Sequence, residues 1–183
     1  MQAQTITLAG GCFWCTEAIF ERLKGVKSVI SGYSGGIVEN PSYEAVCSGK
    51  TGHAEVIQIE FDPQILPLEK LLEIFWHLHD PTTLNRQGSD VGTQYRSAIF
   101  YNSPNQKAIA EKSKATHQKE FKGQIVTEIV PFVNFYKAEK YHQEFYNKQS
   151  FSPNKNEDYQ YCQVVIGPKI QKLLAEFKSE VNN

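Results

Sequence analysis

The sequence predicts an α+β fold: a ferredoxin-like α/β sandwich built on two βαβ-type units, with extra C-terminal helices and loops. Strand, helix and strand patterns follow one another within residues 5–33 and again within residues 54–101. No linker rich in Ser, Gly or Pro interrupts the 183 residues, a length that suits one domain with a single core. We therefore expect a single catalytic domain, with its core over about residues 4–150 and a C-terminal segment and helix over about residues 151–183.

The first unit begins with Ile6 and Leu8, which alternate with threonines as in a strand that ends at two glycines. A helix is predicted over residues 14–23 because its apolar residues recur at helical spacing. Gly25 ends this helix, and residues 26–33 are predicted to form the second strand.

The second unit begins with residues 54–61, where apolar and polar side chains alternate as in a half-buried strand. Residues 68–79 carry apolar side chains at the i, i+3, i+4, i+7 positions of an amphipathic helix. Residues 96–101 are predicted to form the closing strand. The stretches 35–52 and 80–94 are predicted to be loops because of their composition.

The C-terminal additions begin at Ser103-Pro104, where a serine cap and a proline in the first turn predict a helix that extends to Phe121. The sequence then predicts a strand over 125–130, a helix over 138–149, a polar loop from Phe151 to Asp158 and a helix after Pro168.

Composition limits the range of functions. The formal net charge is -1, without basic or acidic blocks, which argues against nucleic acid or a membrane surface as a partner. The N-terminal residues lack the pattern of a signal peptide, and no apolar run is long enough for a membrane-spanning helix. We expect a cytoplasmic, monomeric protein whose four cysteines are inert core residues, metal ligands or catalytic thiols.

Cys12 is the strongest candidate for a catalytic nucleophile. It follows two glycines and precedes a predicted helix, whose N-terminal amides are expected to stabilise a thiolate and lower its pKa. The flanking glycines leave room for a substrate to approach. The competing interpretation is a buried, inert cysteine.

Cys12 and Cys15 also form a C-x-x-C pair, which is compatible with a redox centre, half of a zinc site, or one catalytic cysteine with a bystander. A zinc site needs two further ligands, and the other cysteines are single and far apart in the sequence. His77 and His79 lie only two residues apart on a helix. We expect no metal site.

Two further features are candidates for the same site. Phe13 and Trp14 are either core aromatics or the wall of an apolar pocket beside the thiol. Glu55 lies on the same strand face as three apolar residues, so burial is expected to raise its pKa and make it a proton donor. The alternative is that the strand frays before Glu55 and the carboxylate reaches water. We expect the neighbouring His53 to be structural.

The chain closely resembles the A-type peptide methionine sulfoxide reductases in six segments. In order, these are Gly10-Gly-Cys-Phe-Trp-Cys15, Gly32-Tyr-Ser-Gly-Gly36, Asn40-Pro-Ser-Tyr43, Thr51-Gly-His-Ala-Glu55, Gly92-Thr-Gln-Tyr-Arg-Ser97 and Ala138-Glu-Lys-Tyr-His-Gln143. The resemblance runs from about residue 5 to about residue 170, and it implies reduction of methionine S-sulfoxide, free or in proteins, with electrons from thioredoxin.

The resemblance also implies a role for each matching residue. Cys12 is expected to be the nucleophile and Glu55 the acid, without any metal or organic cofactor. Further roles are hydrogen bonds to the sulfoxide oxygen from Tyr43 and Tyr95, support of the substrate by Asp90, and contact with its methyl group by Phe13 and Trp14.

The resolving thiol is expected to be Cys162, where family members often carry one. Many family members have glycine in place of Cys15, so that cysteine is either a bystander or a second resolving thiol, and Cys47 is a third possibility. Three other functions remain open at this point: a general dithiol oxidoreductase, a redox-sensing peptide-binding module, and a cysteine hydrolase with His142 as its base.

Overall fold

The computed structural model describes residues 2–150 and 156–182. Its central element is a six-stranded sheet with the strand order β7-β6-β1-β3-β2-β8. The strands are β1 (Gln4–Gly10), β2 (Val26–Ser34), β3 (Ala54–Phe61), β6 (Ser97–Tyr101), β7 (Glu128–Pro131) and β8 (Tyr136–Lys137), and a separate hairpin consists of β4 (Arg86–Gln87) and β5 (Asp90–Val91).

Within residues 2–150 and 156–182, seven α-helices accompany the sheet: α1 (Phe13–Phe20), α2 (Tyr43–Cys47), α3 (Leu68–Leu78), α4 (Pro104–His117), α5 (Phe145–Gln149), α6 (Glu157–Tyr161) and α7 (Gly167–Glu176). A π-helical turn, Cys162–Ile166, joins α6 to α7. Among the described residues, the helices are all too short or too polar to cross a bilayer.

The strand order confirms the predicted fold class. The strands β6, β1, β3 and β2 lie side by side, and each is antiparallel to its neighbour. The helices α1 and α3 make the two crossovers, as in a ferredoxin-like sandwich. The additional strand β7 lies parallel to β6 after the crossover through α4, and β8 extends the opposite edge.

The core lies between the sheet and the helices. Ile57, Ile59 and Phe61 alternate along β3 and pack in one cluster with residues of α1 and α3. The opposite face buries small side chains such as Ala9 and Ala54, which pack with the segment 132–135. Both faces of the sheet centre are therefore covered, and that fixes the register of β3.

The C-terminal end of the described chain is attached to the segment that follows α1. Leu23 forms a bridge with Val181, and the Lys24 amide donates a hydrogen bond of 2.7 Å to the Glu180 carbonyl. The C-terminal end of the segment that contains α7 is therefore bound to the chain that follows α1.

The predicted helix over residues 138–149 is wrong for its first half, because only α5 is helical. Glu144 has a φ of 53°, which interrupts any helix at that point. The Gln143 side chain instead binds the backbone of Ser31, accepting from its amide at 3.1 Å and donating to its carbonyl at 2.9 Å. Tertiary hydrogen bonds therefore replace helical ones in this segment.

The stretches predicted to be loops contain short secondary-structure elements that their composition does not predict. The stretch 35–52 includes α2, which the Ser42 side chain caps by accepting from the Ala45 amide, and the stretch 80–94 includes the β4/β5 hairpin. Residues 151–155 of the predicted C-terminal loop lie outside the described residues, and residues 157 and 158 belong to α6.

Candidate active site

Cys12 lies between the end of β1 and the first turn of α1, as the N-cap residue of that helix. The preceding Gly11 has a φ of +91°, and a Cβ atom at this position would lie 2.5 Å from the side chain of Gln87. Only glycine fits there, so the tight turn that places the thiol depends on it. The Cys12 side chain is 8% exposed.

Glu55 lies at the start of β3, paired with Tyr33 of β2, and its side chain is 1% exposed. Its Oε2 accepts a hydrogen bond of 3.0 Å from the Phe13 amide in the first turn of α1. Burial raises the pKa of Glu55 to about 8, against the opposing effect of the Phe13 amide and with a further contribution from the charge of Asp90. The predicted burial is confirmed, and the carboxyl is protonated at neutral pH.

The predicted low pKa of Cys12 is wrong. Burial raises its pKa, as do a hydrogen bond and electrostatic repulsion from Cys15. The Phe13 amide, which was expected to stabilise the thiolate, donates to Glu55 instead.

Cys15 holds the negative charge of the thiol pair. The hydrogen bond from Cys12 lowers the pKa of Cys15 to about 6 although burial opposes the shift, and the positive charge of Lys169 acts in the same direction as the hydrogen bond. Cys15 Sγ also lies 3.8 Å from the Tyr161 hydroxyl. Cys12 and Cys15 therefore titrate as an interacting pair, in which the pKa of Cys12 is raised and that of Cys15 is lowered.

An aromatic wall lines the site beside the thiols. The Trp14 ring stacks on Phe145, with 3.7 Å between centroids and an interplanar angle of 4°. The Trp14 indole donates a hydrogen bond of 3.0 Å to His142 Nδ1, and the Phe13 ring lies 5.0 Å from the His142 ring. Partners on two sides thus fix the orientation of Trp14.

Tyr43 and Tyr95 belong to segments that precede and follow Glu55 in the sequence. Tyr43 begins α2, and Tyr95 ends a 3₁₀ turn that leads into β6. Burial raises the pKa of both hydroxyls, and the nearby charge of Glu55 raises them further. Both hydroxyls therefore remain protonated and can donate hydrogen bonds to a substrate oxygen.

Asp90 belongs to the β4/β5 hairpin rather than to a plain loop. Burial raises the pKa of its carboxyl, whereas Lys169 and a hydrogen bond from Tyr161 oppose that shift. Tyr161 and Lys169 thus link this hairpin to Cys15 on α1.

Two residues beside the site, Glu139 and His142, were not among the residues expected to take part in sulfoxide reduction. Glu139 accepts hydrogen bonds from the Tyr33 hydroxyl at 2.7 Å and from the Tyr43 amide at 2.9 Å. His142 is fully buried, and its Nδ1 is occupied by Trp14, so it positions that ring. The matched segment 138–143 pointed to both residues, and their contacts with distant strands supply the reason.

His142 does not have the arrangement of a hydrolase base. Burial lowers its pKa, and its Nδ1 accepts from Trp14 while Nε2 lies 4.0 Å from Glu139. The second candidate histidine, His53, is structural as predicted. Its Nδ1 accepts from the Gly36 amide at 3.1 Å, and its Nε2 donates to the Val38 carbonyl at 2.8 Å.

Three of the four thiols belong to one buried cluster. Cys12, Cys15 and Cys162 pack together with Phe145 and neighbouring apolar residues. Burial raises the pKa of Cys162 to about 11, and the negative charge of Cys15 contributes. Cys47 differs because it is exposed at the end of α2. None of the four forms a disulfide in the structure.

Known proteins match nearly the whole chain. The sequence profile of the family described as peptide methionine sulfoxide reductase matches residues 4–181. The peptide methionine sulfoxide reductase MsrA of Sulfolobus acidocaldarius is 52% identical over 179 residues, which cover 98% of each chain.

Solved structures are similar as well. Mxr1 from Saccharomyces cerevisiae in its reduced form gives a TM-score of 0.77 at 37% identity, covering 84% of this chain and 89% of that one. Mxr1 in complex with Trx2 gives 0.56 at 29% identity, covering 79% and 85%. The profile match and the Sulfolobus relative span nearly all of the described chain, so the protein belongs to the peptide methionine sulfoxide reductase family.

Proposed function

We propose that this enzyme reduces the S epimer of methionine sulfoxide, free or in proteins, to methionine with thioredoxin as the electron donor. The observation that carries the proposal is the buried Glu55 carboxyl, which accepts a hydrogen bond from the amide of Phe13, the residue after Cys12. A sulfoxide oxygen must gain a proton before it can leave the sulfur, and Glu55 is built to supply that proton. Repair of oxidised proteins follows from this activity.

In the first step the Cys12 sulfur attacks the sulfoxide sulfur. The Cys12 proton passes to Cys15, whose pKa is lowered, and the Glu55 proton passes to the sulfoxide oxygen. The hydroxyls of Tyr43 and Tyr95 stabilise the charge that develops on that oxygen. The new bond between the Cys12 and substrate sulfur atoms then breaks as the hydroxyl moves from the substrate sulfur to Cys12, so the products are methionine and a sulfenic acid.

The substrate methyl group occupies the apolar space beside Phe13 and Trp14. Phe145 and His142 support this choice because they hold the Trp14 ring from its face and from its indole nitrogen. Asp90 lies in β5, which pairs with β4 to form a hairpin, and from this hairpin it supports the bound substrate. No metal or organic cofactor takes part in these steps.

The sulfenic acid is resolved by thiol condensation, which releases water and forms a disulfide. Cys15 lies three residues after Cys12 and in the same buried cluster, so in our proposal it forms the first disulfide. Cys162, in the same buried cluster, then attacks Cys15 and carries the disulfide that thioredoxin reduces by exchange. Cys47 has no part in this relay.

The electron donor is inferred from relatives and chemistry. A solved complex of the yeast relative Mxr1 with Trx2 supports a thioredoxin as the reductant. The free thiols suit a reducing compartment, so we retain the expectation of a cytoplasmic monomer. A general dithiol oxidoreductase or a peptide-binding module would leave the proton donor Glu55 without a purpose.

The decisive experiment is a stereospecific assay. We expect dabsyl-labelled methionine S-sulfoxide to be reduced in the presence of thioredoxin, thioredoxin reductase and NADPH, and the R epimer to remain unreacted. Equal rates for the two epimers would reject the stereochemical part of the proposal. Disulfide exchange without any methionine formation would reject the whole.

A further inference from the structure

A cluster of possible metal ligands lies where α3 meets the end of α4. His77 belongs to the last turn of α3, His117 ends α4, and Glu120 ends the 3₁₀ turn that follows. One ligand atom of each residue lies within 4.8 Å of those of the other two. The three residues belong to neither the thiol cluster nor the aromatic wall of the reaction site.

The spacing is close to that of a coordination shell. His77 Nε2 lies 3.5 Å from Glu120 Oε2. Ligand atoms about 2.1 Å from a tetrahedral zinc ion are roughly 3.4 Å apart, so this pair is already at the required distance. The third contact closes with a rotation of side chains, because Glu120 is exposed and His117 is only partly buried.

Both imidazole rings present the correct nitrogen. His77 Nδ1 lies 2.8 Å from the Glu73 carbonyl, and His117 Nδ1 lies 2.9 Å from the Ser113 carbonyl. A carbonyl oxygen can only accept, so each Nδ1 carries the proton and each Nε2 has a free lone pair. Backbone carbonyls fix the tautomer of metal-binding histidines in the same way.

The rings are also held in place before any ion binds. The two histidine rings meet edge to face, with 5.9 Å between centroids, and Phe177 packs against His77 at 5.5 Å. The Lys172 ammonium donates a hydrogen bond to the His77 carbonyl. A site with prearranged ligands loses less entropy when it binds its ion.

We propose that His77, His117 and Glu120 form a binding site for a divalent transition-metal ion, with zinc as the preferred occupant. Two imidazoles and one carboxylate form a ligand set that suits zinc, and water completes the fourth position at this partly exposed site. The ion would tie α3 to α4 and to the turn after it. Its binding stabilises the folded chain by mass action, since the unfolded chain lacks the arrangement.

The test uses cobalt(II) as a spectroscopic substitute for zinc, added to the full-length reduced protein. We expect one ion per chain, with weak visible bands and without the intense near-ultraviolet band of thiolate ligation. Zinc should displace the cobalt. In an NMR titration, the imidazole signals of His77 and His117 should shift, whereas those of His53, His79 and His142 should not.

Variants of the proposed ligands distinguish zinc binding at this site from zinc binding to the thiols. His117→Ala and Glu120→Gln should each weaken zinc binding at least tenfold and remove the rise in Tm that zinc produces. Glu120 is exposed, so Glu120→Gln tests the site without endangering the fold, and Glu111→Gln, on an exposed position of α4, is the matched control with unchanged affinity. Thiolate bands alone, unshifted imidazole signals, or unchanged binding in Glu120→Gln would overturn the proposal.

Discussion

The Phe13 amide and the Glu55 carboxyl join the first turn of α1 to the start of β3 through one hydrogen bond of 3.0 Å. The residue that follows the nucleophile in sequence is therefore the one that orients the proton donor. Burial, with a further contribution from Cys15, raises the pKa of Cys12, whereas the pKa of Cys15 is lowered. The contact of Phe13 with Glu55 therefore connects the proton donor to the helix turn that carries both thiols.

Replacement of the nucleophile should abolish turnover. Cys12→Ser removes the sulfur that attacks the sulfoxide, so methionine formation from a methionine sulfoxide dipeptide should fall to background. Cys47→Ser is the matched control, and its rate should stay near that of the wild type because Cys47 lies outside the thiol cluster. Activity of Cys12→Ser close to that of the wild type would disprove the assignment of Cys12 as the nucleophile.

Replacement of the acid should change the chemical step and its pH dependence. Glu55 donates only while protonated, so the single-turnover rate constant of the wild type should decline as the pH rises through about 8. Glu55→Gln cannot supply the proton, so we expect a rate constant lower by roughly 10²–10⁴-fold and without that decline. Substrate binding should be largely preserved.

Rapid-quench measurement of methionine from pH 6 to pH 10 checks both parts of the Glu55 prediction. An unchanged single-turnover rate in Glu55→Gln would count against the acid role. Retention of the alkaline decline in that variant would assign the titration to another group.

The number of methionine molecules formed per chain should reveal the role of each resolving thiol. Cys162→Ser should form one methionine per chain in the absence of reductant and then stop, because the disulfide remains between Cys12 and Cys15. Thioredoxin-linked cycling should be lost. Peptide mapping by mass spectrometry identifies the trapped disulfide, and full thioredoxin-dependent activity in Cys162→Ser would refute its place in the relay.

Cys15→Ser provides the complementary test of the relay. It forces Cys162 to attack the sulfenic acid directly, so loss of the sulfenic acid should be slower than in the wild type. An unchanged rate of disulfide formation would show that Cys15 is a bystander.

Removal of the Phe145 ring, which stacks on Trp14, should weaken substrate binding more than it slows the chemical step. Phe145 is buried and stacks on Trp14, so Phe145→Ala should raise KM with a smaller effect on kcat. The cavity should also cost about 3–5 kcal/mol of unfolding free energy. Phe145→Leu restores volume without the stack, so it should recover most of the stability but not the KM; equal loss of kcat and kcat/KM would contradict a positioning role.

Much of the fold was predictable because its core elements have strong local periodicity. The strict alternation over residues 54–61 predicted the strand and its buried face, and of the two alternatives that it left for Glu55 the structure has the buried one. The apolar spacing over residues 68–79 likewise predicted α3 closely. In these stretches local propensity and tertiary burial favour the same structure.

The remainder depended on contacts between residues distant in sequence. Nothing local shows that the Phe13 amide is bound to Glu55, 42 residues away, or that Cys12 is buried beside Cys15. Burial is the main reason why the direction of the Cys12 pKa shift was predicted wrongly. The segment 138–144 was assigned to a helix because its hydrogen bonds to strand and site residues are invisible to periodicity. The tyrosines and Asp90 were identified as site candidates only through the family resemblance.

The bridge between Leu23 and Val181 fastens the far end of the segment that carries Cys162. In the proposed relay, this anchor keeps the chain that follows Cys162 attached to the fold while a disulfide forms. It maintains a high effective concentration of the proposed resolving thiol near Cys12. Rapid formation of the disulfide would then compete with further oxidation of the sulfenic acid to an irreversible sulfinic acid.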